Sequence, residues 1–219
     1  MSVVIALPGQ DEIVVAADTL GYAGDEGGYY GFSGRKIREA GGNRLFCVAG
    51  SDVGLSLLEK LEAQGFNCAG DFRAWVSSLT ERMKAVYQAV YSEPQPPFSA
   101  LLCGFTNEKP QIVMFSSPTF SFPHFSNRPE AIGAKRHGGL YFAYRYHSQK
   151  MSSDQRQLLA YFCVSEVARL DPRVDVPIEV AIVRGDSVRF LEAKELNVLE
   201  KCSKRISGAI SRHFTPGSK

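Results

Sequence analysis

The chain has little net charge: 25 lysines and arginines stand against 23 aspartates and glutamates, leaving a formal +2. So small an excess leaves no electrostatic footprint for nucleic acid or for an anionic membrane surface. Long apolar runs are missing too. The longest, such as Val3–Leu7 and Ser99–Phe105, are strand-sized, which excludes a membrane-spanning helix. The start lacks the charged n-region and long h-region of a secretory signal. Cysteine is sparse and unpaired in pattern: Cys47, Cys68, Cys103, Cys163 and Cys202 are odd in number and widely spaced. Four of the five lie inside apolar patterns, as expected for reduced, buried thiols in a cytoplasmic protein. No C-x-x-C and no paired His/Cys spacing supports a metal site. His124, His137, His147 and His213 are scattered, and structural or surface roles are expected for them.

What is present suits one globular core. At 219 residues, 44% apolar and 22% charged, the chain shows no composition break that would divide it. A single domain over 1–219 is expected, with 215–219 as a mobile tail.

Val3–Leu7 and Ile13–Ala17 are short apolar runs around Pro8-Gly9-Gln10-Asp11, a strand–turn–strand signature. Residues 21–34 hold six glycines and three tyrosines, and read as an irregular loop or a distorted hairpin. Leu45–Ala49 is another strand, and Gly50-Ser51-Asp52 supplies turn and N-cap chemistry. Leu55, Leu58 and Leu61 follow at helical spacing. A longer helix then carries Phe72, Trp75, Val76, Leu79, Met83, Val86 and Val90 on one stripe, stopped by Pro94, Pro96 and Pro97.

Ser99–Phe105 and Gln111–Ser116 flank Asn107-Glu108-Lys109-Pro110 as a second hairpin, and residues 117–129 read as loop and irregular edge. The aromatic cluster Tyr141, Phe142, Tyr144 and Tyr146 is expected to pack a helix or its neighbours. Ser152 and Gln155 form a capping box for a helix with Leu159, Phe162, Cys163 and Val167 inward. Ile178–Val183 and Val188–Leu191 make a third hairpin. A last helix presents Leu196, Leu199, Cys202, Ile206 and Ile210, with Lys201, Lys204, Arg205 and Arg212 on its solvated side.

Hairpins in clusters, separated by helix pairs, predict an α+β fold. The best fit is a four-layer αββα sandwich, two antiparallel sheets flanked by helices. Strand runs that are apolar on both faces agree, since each sheet would meet a sheet on one side and helices on the other.

The first fifty residues carry the chemistry. Ser2 sits behind a removable Met1, Ala16-Ala17-Asp18 ends the second strand, Gly34-Arg35-Lys36-Ile37 follows the glycine-rich stretch, and Val48-Ala49-Gly50-Ser51 closes the next strand. This segment resembles the start of a mature proteasome β-type subunit and of the simpler bacterial ring peptidases, members of the N-terminal nucleophile hydrolases. In that family a threonine opens the mature chain, Ala-Ala-Asp ends the second strand, a lysine and an aliphatic residue begin the next element, and Ala-Gly opens the first helix. With Ser2 as the first mature residue, Asp18 falls on the family aspartate without a gap. Lys36 falls on its lysine after two extra residues, and Ala49-Gly50 on its Ala-Gly turn. Asp171, ahead of Pro177-Ile178-Glu179-Val180-Ala181, matches a later family aspartate.

The resemblance implies a hydrolase that needs no metal or organic cofactor. A serine hydroxyl needs a base, and a free α-amine, with a reference pKa of about 8, can serve its own side chain. Lys36 would lower the hydroxyl's effective pKa, Asp18 would orient Lys36, and the Gly50 N–H would stabilise the oxyanion. Asp171 would belong to the network around the amine. Gly34, Val48 and Asp52 would line the pocket for the residue before the scissile bond. Val48 gives it a small to medium apolar floor and Asp52 favours a basic side chain, unless Arg38 neutralises Asp52. The partners implied are unfolded polypeptide or peptide, further copies in a homo-oligomeric ring, and an ATP-dependent unfoldase.

Three residues depart from the pattern. Serine replaces threonine, losing the methyl that restricts the rotamer. Ala134 and Val174 stand where the family carries serines. With Met1 attached the mechanism is blocked, and removal by methionine aminopeptidase suits a small second residue. No long propeptide precedes Ser2 and no extra N-terminal helix precedes the first strand, so self-cleavage is not implied and a β-type subunit is favoured. Two further readings stand beside the peptidase: a proteasome-like structural or interaction protein without turnover, and a non-peptide amidase on the same scaffold.

Overall fold

The structure is a computed structural model that describes residues 2–25, 28–66, 70–121, 123–133, 136–171, 174 and 177–214; the side chains of 20–33 and 213–214 are outside that description. In chain order the elements are β1 (Val3–Pro8), β2 (Glu12–Asp18), β3 (Leu20–Asp25), β4 (Gly28–Ser33), β5 (Ile37–Glu39), β6 (Leu45–Gly50), α1 (Val53–Ala63), α2 (Phe72–Val90), β7 (Phe98–Thr106), β8 (Lys109–Ser116), β9 (His124–Ser126), β10 (Glu130–Gly133), α3 (Arg136–Tyr146), α4 (Ser153–Leu170), β11 (Ile178–Arg184), β12 (Val188–Phe190) and α5 (Ala193–Phe214).

Among the described residues, two five-stranded antiparallel sheets run β10-β1-β2-β11-β12 and β5-β6-β7-β8-β9, with β3-β4 as a separate ribbon. Side-chain alternation divides the core into three layers. On β1, Val3, Ile5 and Leu7 meet α3, α4 and α5, whereas Val4 and Ala6 meet Leu45, Cys47 and Leu101 of the other sheet. The outer face of that second sheet, with Phe46, Val48 and Leu102, packs on α1 and α2. The result is helices, sheet, sheet, helices: the predicted αββα sandwich.

Local signals decide several elements. Asn107 and Glu108 both have positive φ, the two-residue turn whose twist matches an antiparallel pair, and Phe105↔Pro110 and Thr106↔Lys109 close the β7–β8 register around them. Ser152 Oγ accepts from the Gln155 N–H, and Gln155 Oε1 from the Ser152 N–H, so the capping box opens α4. The glycine-rich stretch is a hairpin, paired from Leu20↔Ser33 to Asp25↔Gly28.

Elsewhere the structure corrects the expectation. Val90 is exposed on α2, and Tyr87 takes the buried place, edge-on to Phe120. Of the aromatic cluster on α3, only Phe142 packs inward, against Phe162; Tyr141, Tyr144 and Tyr146 are exposed. Ile206 and Ile210 of α5 stand partly open beside a surface hollow of about 380 Å³ shared with Tyr146, Met151, Leu158 and Phe162. The expected strand end at Gly50 leads into α1, but Asp52 makes no cap bond, and the Val53 N–H goes to Ser51 Oγ instead. Cys47, Cys103 and Cys163 are buried free thiols and Cys202 is half-buried. Cys68, Ala134 and the tail 215–219 lie outside the described residues.

One buried charge cluster pins the β1–β2 turn to α4. Arg156 Nη1 lies 2.5 Å from Glu12 Oε1, and both side chains are nearly closed to solvent. Arg184 approaches Glu12 Oε2 at 3.2 Å, Ser153 Oγ donates to the same oxygen, and Arg156 Nη2 donates to the Met151 carbonyl. Glu12 opens β2 and Asp18 closes it, so this cluster and the carboxylate discussed next occupy opposite ends of one strand.

Candidate functional site

Asp18 ends β2 with no exposed surface, in register with Ile178 of β11. A carboxylate buried this deeply requires partners, and both of its oxygens have one. Oδ1 accepts the Val3 N–H at 2.8 Å, and Oδ2 meets Lys36 Nζ at 2.5 Å. Val3 follows Ser2 directly, so one carboxylate holds the main chain beside Ser2 on one oxygen and the Lys36 ammonium on the other. Ser2 and Lys36 are themselves buried.

Lys36 precedes β5, and its backbone is clamped from two sides. Its carbonyl accepts the Val48 N–H at 3.1 Å, while its N–H and that of Ile37 donate to Glu179 Oε1 at 2.8 and 3.0 Å. Burial pushes the Asp18 carboxyl above its ordinary 3.8, against the pull of Lys36 and of the Val3 N–H. Burial also lowers Lys36 below 10.5, against Asp18 and then Glu179. Both shifts have the same sense, disfavouring the fully ionised pair. A lysine so placed yields its proton more readily than a free one.

Gly50 closes β6 with φ +102, and a Cβ there would meet the Pro97 carbonyl oxygen at 2.7 Å. The Val48 N–H points to Lys36 and the Ser51 N–H to Pro97 on the opposite side. Gly133 of β10, at φ +98, lies against the Ser2 carbonyl, and a Cβ there would stand 1.9 Å from that oxygen and 3.0 Å from Ala49 Cβ. Gly133 is thus packed between Ser2 and Ala49 of β6. Gly133→Ala is expected to displace Ser2, lowering stability by about 2–3 kcal/mol, read by denaturant unfolding. A loss below about 0.5 kcal/mol would show that the backbone gives way at no cost.

The remaining predicted residues are less closely joined. Asp171 is buried at the end of α4 and accepts the Val174 N–H on its carbonyl at 2.9 Å. It caps α4, seven residues before the start of β11. Val174 is buried and packs into the α4-side core, so it brings no hydroxyl to Asp171. Gly34 donates its N–H to the Thr19 carbonyl at 2.7 Å. Val48 is 4% exposed and packs with Val53 and Leu57, which leaves little of it for a substrate side chain. Asp52 is exposed, and Arg38 pairs with Glu59.

Sequence reasoning passed over Glu179 as a site residue. On β11 the neighbours Ile178 and Val180 face α4, and Ala181 and Val183 face the other sheet. Period-2 alternation places position 179 with the latter, and a carboxylate on a face otherwise apolar was the available signal.

Among the described residues no three His, Cys, Asp or Glu side chains converge as a metal site, and no helix is long and apolar enough to cross a membrane. Compared with protein-family models and with curated proteins, the chain matches none of them.

Proposed function

We propose that the chain is a proteasome β-type peptidase, an N-terminal nucleophile hydrolase of the cytoplasm whose nucleophile is Ser2 after removal of Met1. The observation that carries this reading is the carboxylate of Asp18, which joins the Val3 N–H beside Ser2 to the Lys36 ammonium. Once freed, the Ser2 α-amine takes the proton from its own Oγ as that oxygen attacks the scissile carbonyl. The Gly50 N–H receives the oxyanion, and the proton passes to the departing amine. Water then cleaves the ester with the amine again as base. Lys36 stabilises the developing alkoxide, and Asp18 fixes Lys36. The substrate is unfolded polypeptide, hydrolysed inside a homo-oligomeric ring and fed by an ATP-driven unfoldase.

One observation favours a second reading, a proteasome-like structural protein without turnover. Val174 stands buried beside Asp171 where a hydroxyl would complete the amine's network.

Intact mass and labelling by a peptide epoxyketone separate the two. The expected result is a chain that begins at Ser2 and gains one probe, with labelling abolished in Ser2→Ala. A homogeneous preparation that keeps Met1 and takes up no probe would establish the structural reading instead. Light scattering tests the ring, and a monomer at high concentration would remove it from the proposal.

A further inference from the structure

Lys36 is held by more than its salt bridge. Its ammonium meets Asp18 of β2, while its peptide is suspended between β6 and β11, from different sheets: the Val48 N–H reaches its carbonyl, and Glu179 Oε1 takes its N–H together with that of Ile37. β11 lies next to β2, with Glu179 in register with Ala17, the residue before Asp18. The acceptor for the lysine's backbone and the acceptor for its side chain therefore hang from neighbouring strands of one sheet, while the lysine belongs to the other.

From this geometry we propose that Glu179 is a positioning residue: its carboxylate sets Lys36 over Asp18 and its charge tunes how readily Lys36 gives up its proton. The inference goes beyond the peptidase reading and uses that reading only for its activity measurement. A carboxylate taking two successive backbone N–H groups is a strong, charge-assisted acceptor, and the charge of Glu179 also acts on the partly desolvated Lys36 ammonium and favours its protonated form. Both effects act on Lys36, one through position and one through charge.

Among the described residues, charged and titratable groups act on this point from three elements. Arg35 and Lys36 lie on the incoming segment, Asp18 on β2, and Cys47 on β6. The Cys47 thiol is held neutral by burial, so it adds no charge at ordinary pH. Burial pushes the Glu179 carboxyl above its ordinary value, against the Lys36 and Ile37 N–H groups and then the charge of Arg35. Removing the Glu179 charge leaves Asp18 as the anion in contact with the ammonium, and Lys36 then loses its proton at a lower pH.

Two variants separate position from charge. Glu179→Gln keeps an oxygen for the two N–H groups and removes the charge, whereas Glu179→Ala removes both. The direct measurement is the titration of Lys36, followed by NMR on chain labelled at lysine Cε and assigned through Lys36→Arg. In Glu179→Gln the Lys36 midpoint is expected to fall by about half a pH unit or more. In Glu179→Ala the Lys36 resonance is expected to move or broaden as well. Activity on a peptide, where present, should fall several-fold more in Glu179→Ala than in Glu179→Gln, and the falling alkaline limb of the pH–rate profile, where the Lys36 ammonium is lost, should follow the Lys36 midpoint downward.

An unchanged Lys36 titration in both variants overturns the proposal, and it does so whether or not the wild type cleaves peptides. Failure of the wild type to label at Ser2 removes the peptidase reading alone, because the Lys36 midpoint still decides the role of Glu179. Loss of folding in Glu179→Ala leaves the decision to Glu179→Gln, which retains the acceptor.

Discussion

Lys36→Met is expected to lower kcat/KM for a peptide by about 10⁴-fold, the scale on which single members of a catalytic set fail. Methionine keeps much of the length of the lysine stem and removes the ammonium, so the loss reports charge and proton handling rather than a cavity. Lys36→Arg sharpens the reading. Arginine keeps the positive charge but does not surrender its proton, and it replaces one compact ammonium by a planar fork. If the neutral amine takes part in proton transfer, arginine fails as badly as methionine. If only the charge matters, arginine keeps a substantial fraction. A loss under about tenfold in Lys36→Met would detach this lysine from the chemistry altogether.

The same substitution has a pH signature. Folding lowers the Lys36 pKa below 10.5, so between the lowered value and 10.5 the unfolded chain binds more protons than the folded one. Stability contributed by this group therefore rises with pH across that window. Asp18 behaves inversely in acid. Its raised value means that the folded chain binds more protons between 3.8 and that value, so stability falls as pH rises there. Lys36→Met flattens the alkaline rise. It also drives the Asp18 carboxyl further upward, since the ammonium that drew it down is gone. Denaturant midpoints measured from acid to alkaline pH give both slopes.

The largest expected loss of stability lies at the other end of β2. Glu12→Gln leaves the Arg156 guanidinium buried without its counter-charge, which costs about 3–5 kcal/mol for a pair so enclosed. The pairing distance of 2.5 Å and the two nearly closed side chains place it in this class, whereas the Arg184 contact is half open and contributes less. The double variant Glu12→Gln/Arg156→Met removes the stranded charge and is expected to recover more than half of the loss, because the cost of the single change is the unpaired ion. Equilibrium unfolding at neutral pH measures all three chains. A single-variant loss below about 1 kcal/mol would mean that water reaches Arg156 in the altered chain.

Turn and cap chemistry made much of the fold readable. Asn107-Glu108 and the Ser152/Gln155 box announce their elements within four residues, and the structure places both where those signals fall. α3 gave no comparable signal. It contains Gly138 and Gly139 at an energetic cost to helix formation, and three of its four aromatics face solvent, so no apolar stripe marks its face. β10 is four residues long, and its register with β1 joins positions 124–130 apart, a pairing that no local window displays. Val90 and Tyr87 were exchanged because a one-turn stripe cannot tell where a helix runs past the sheet it covers.

The site divides in the same way. Asp18 and Lys36 look like an ordinary strand end and one of 25 basic residues, and only the family pattern singled them out. Their contact joins two sheets, which spacing along the chain does not encode. Glu179 left a trace in its alternation, but that trace says only that a charge is misplaced, without naming the two N–H groups it serves.

The Val3 N–H bond to Asp18 involves neither the side chain nor the amine of Ser2, and Ser2 itself is 6% exposed. On the proposed reading, this anchor engages neither of the two groups that do the chemistry, so it holds the start of β1 in the same way before and after the initiator methionine is removed.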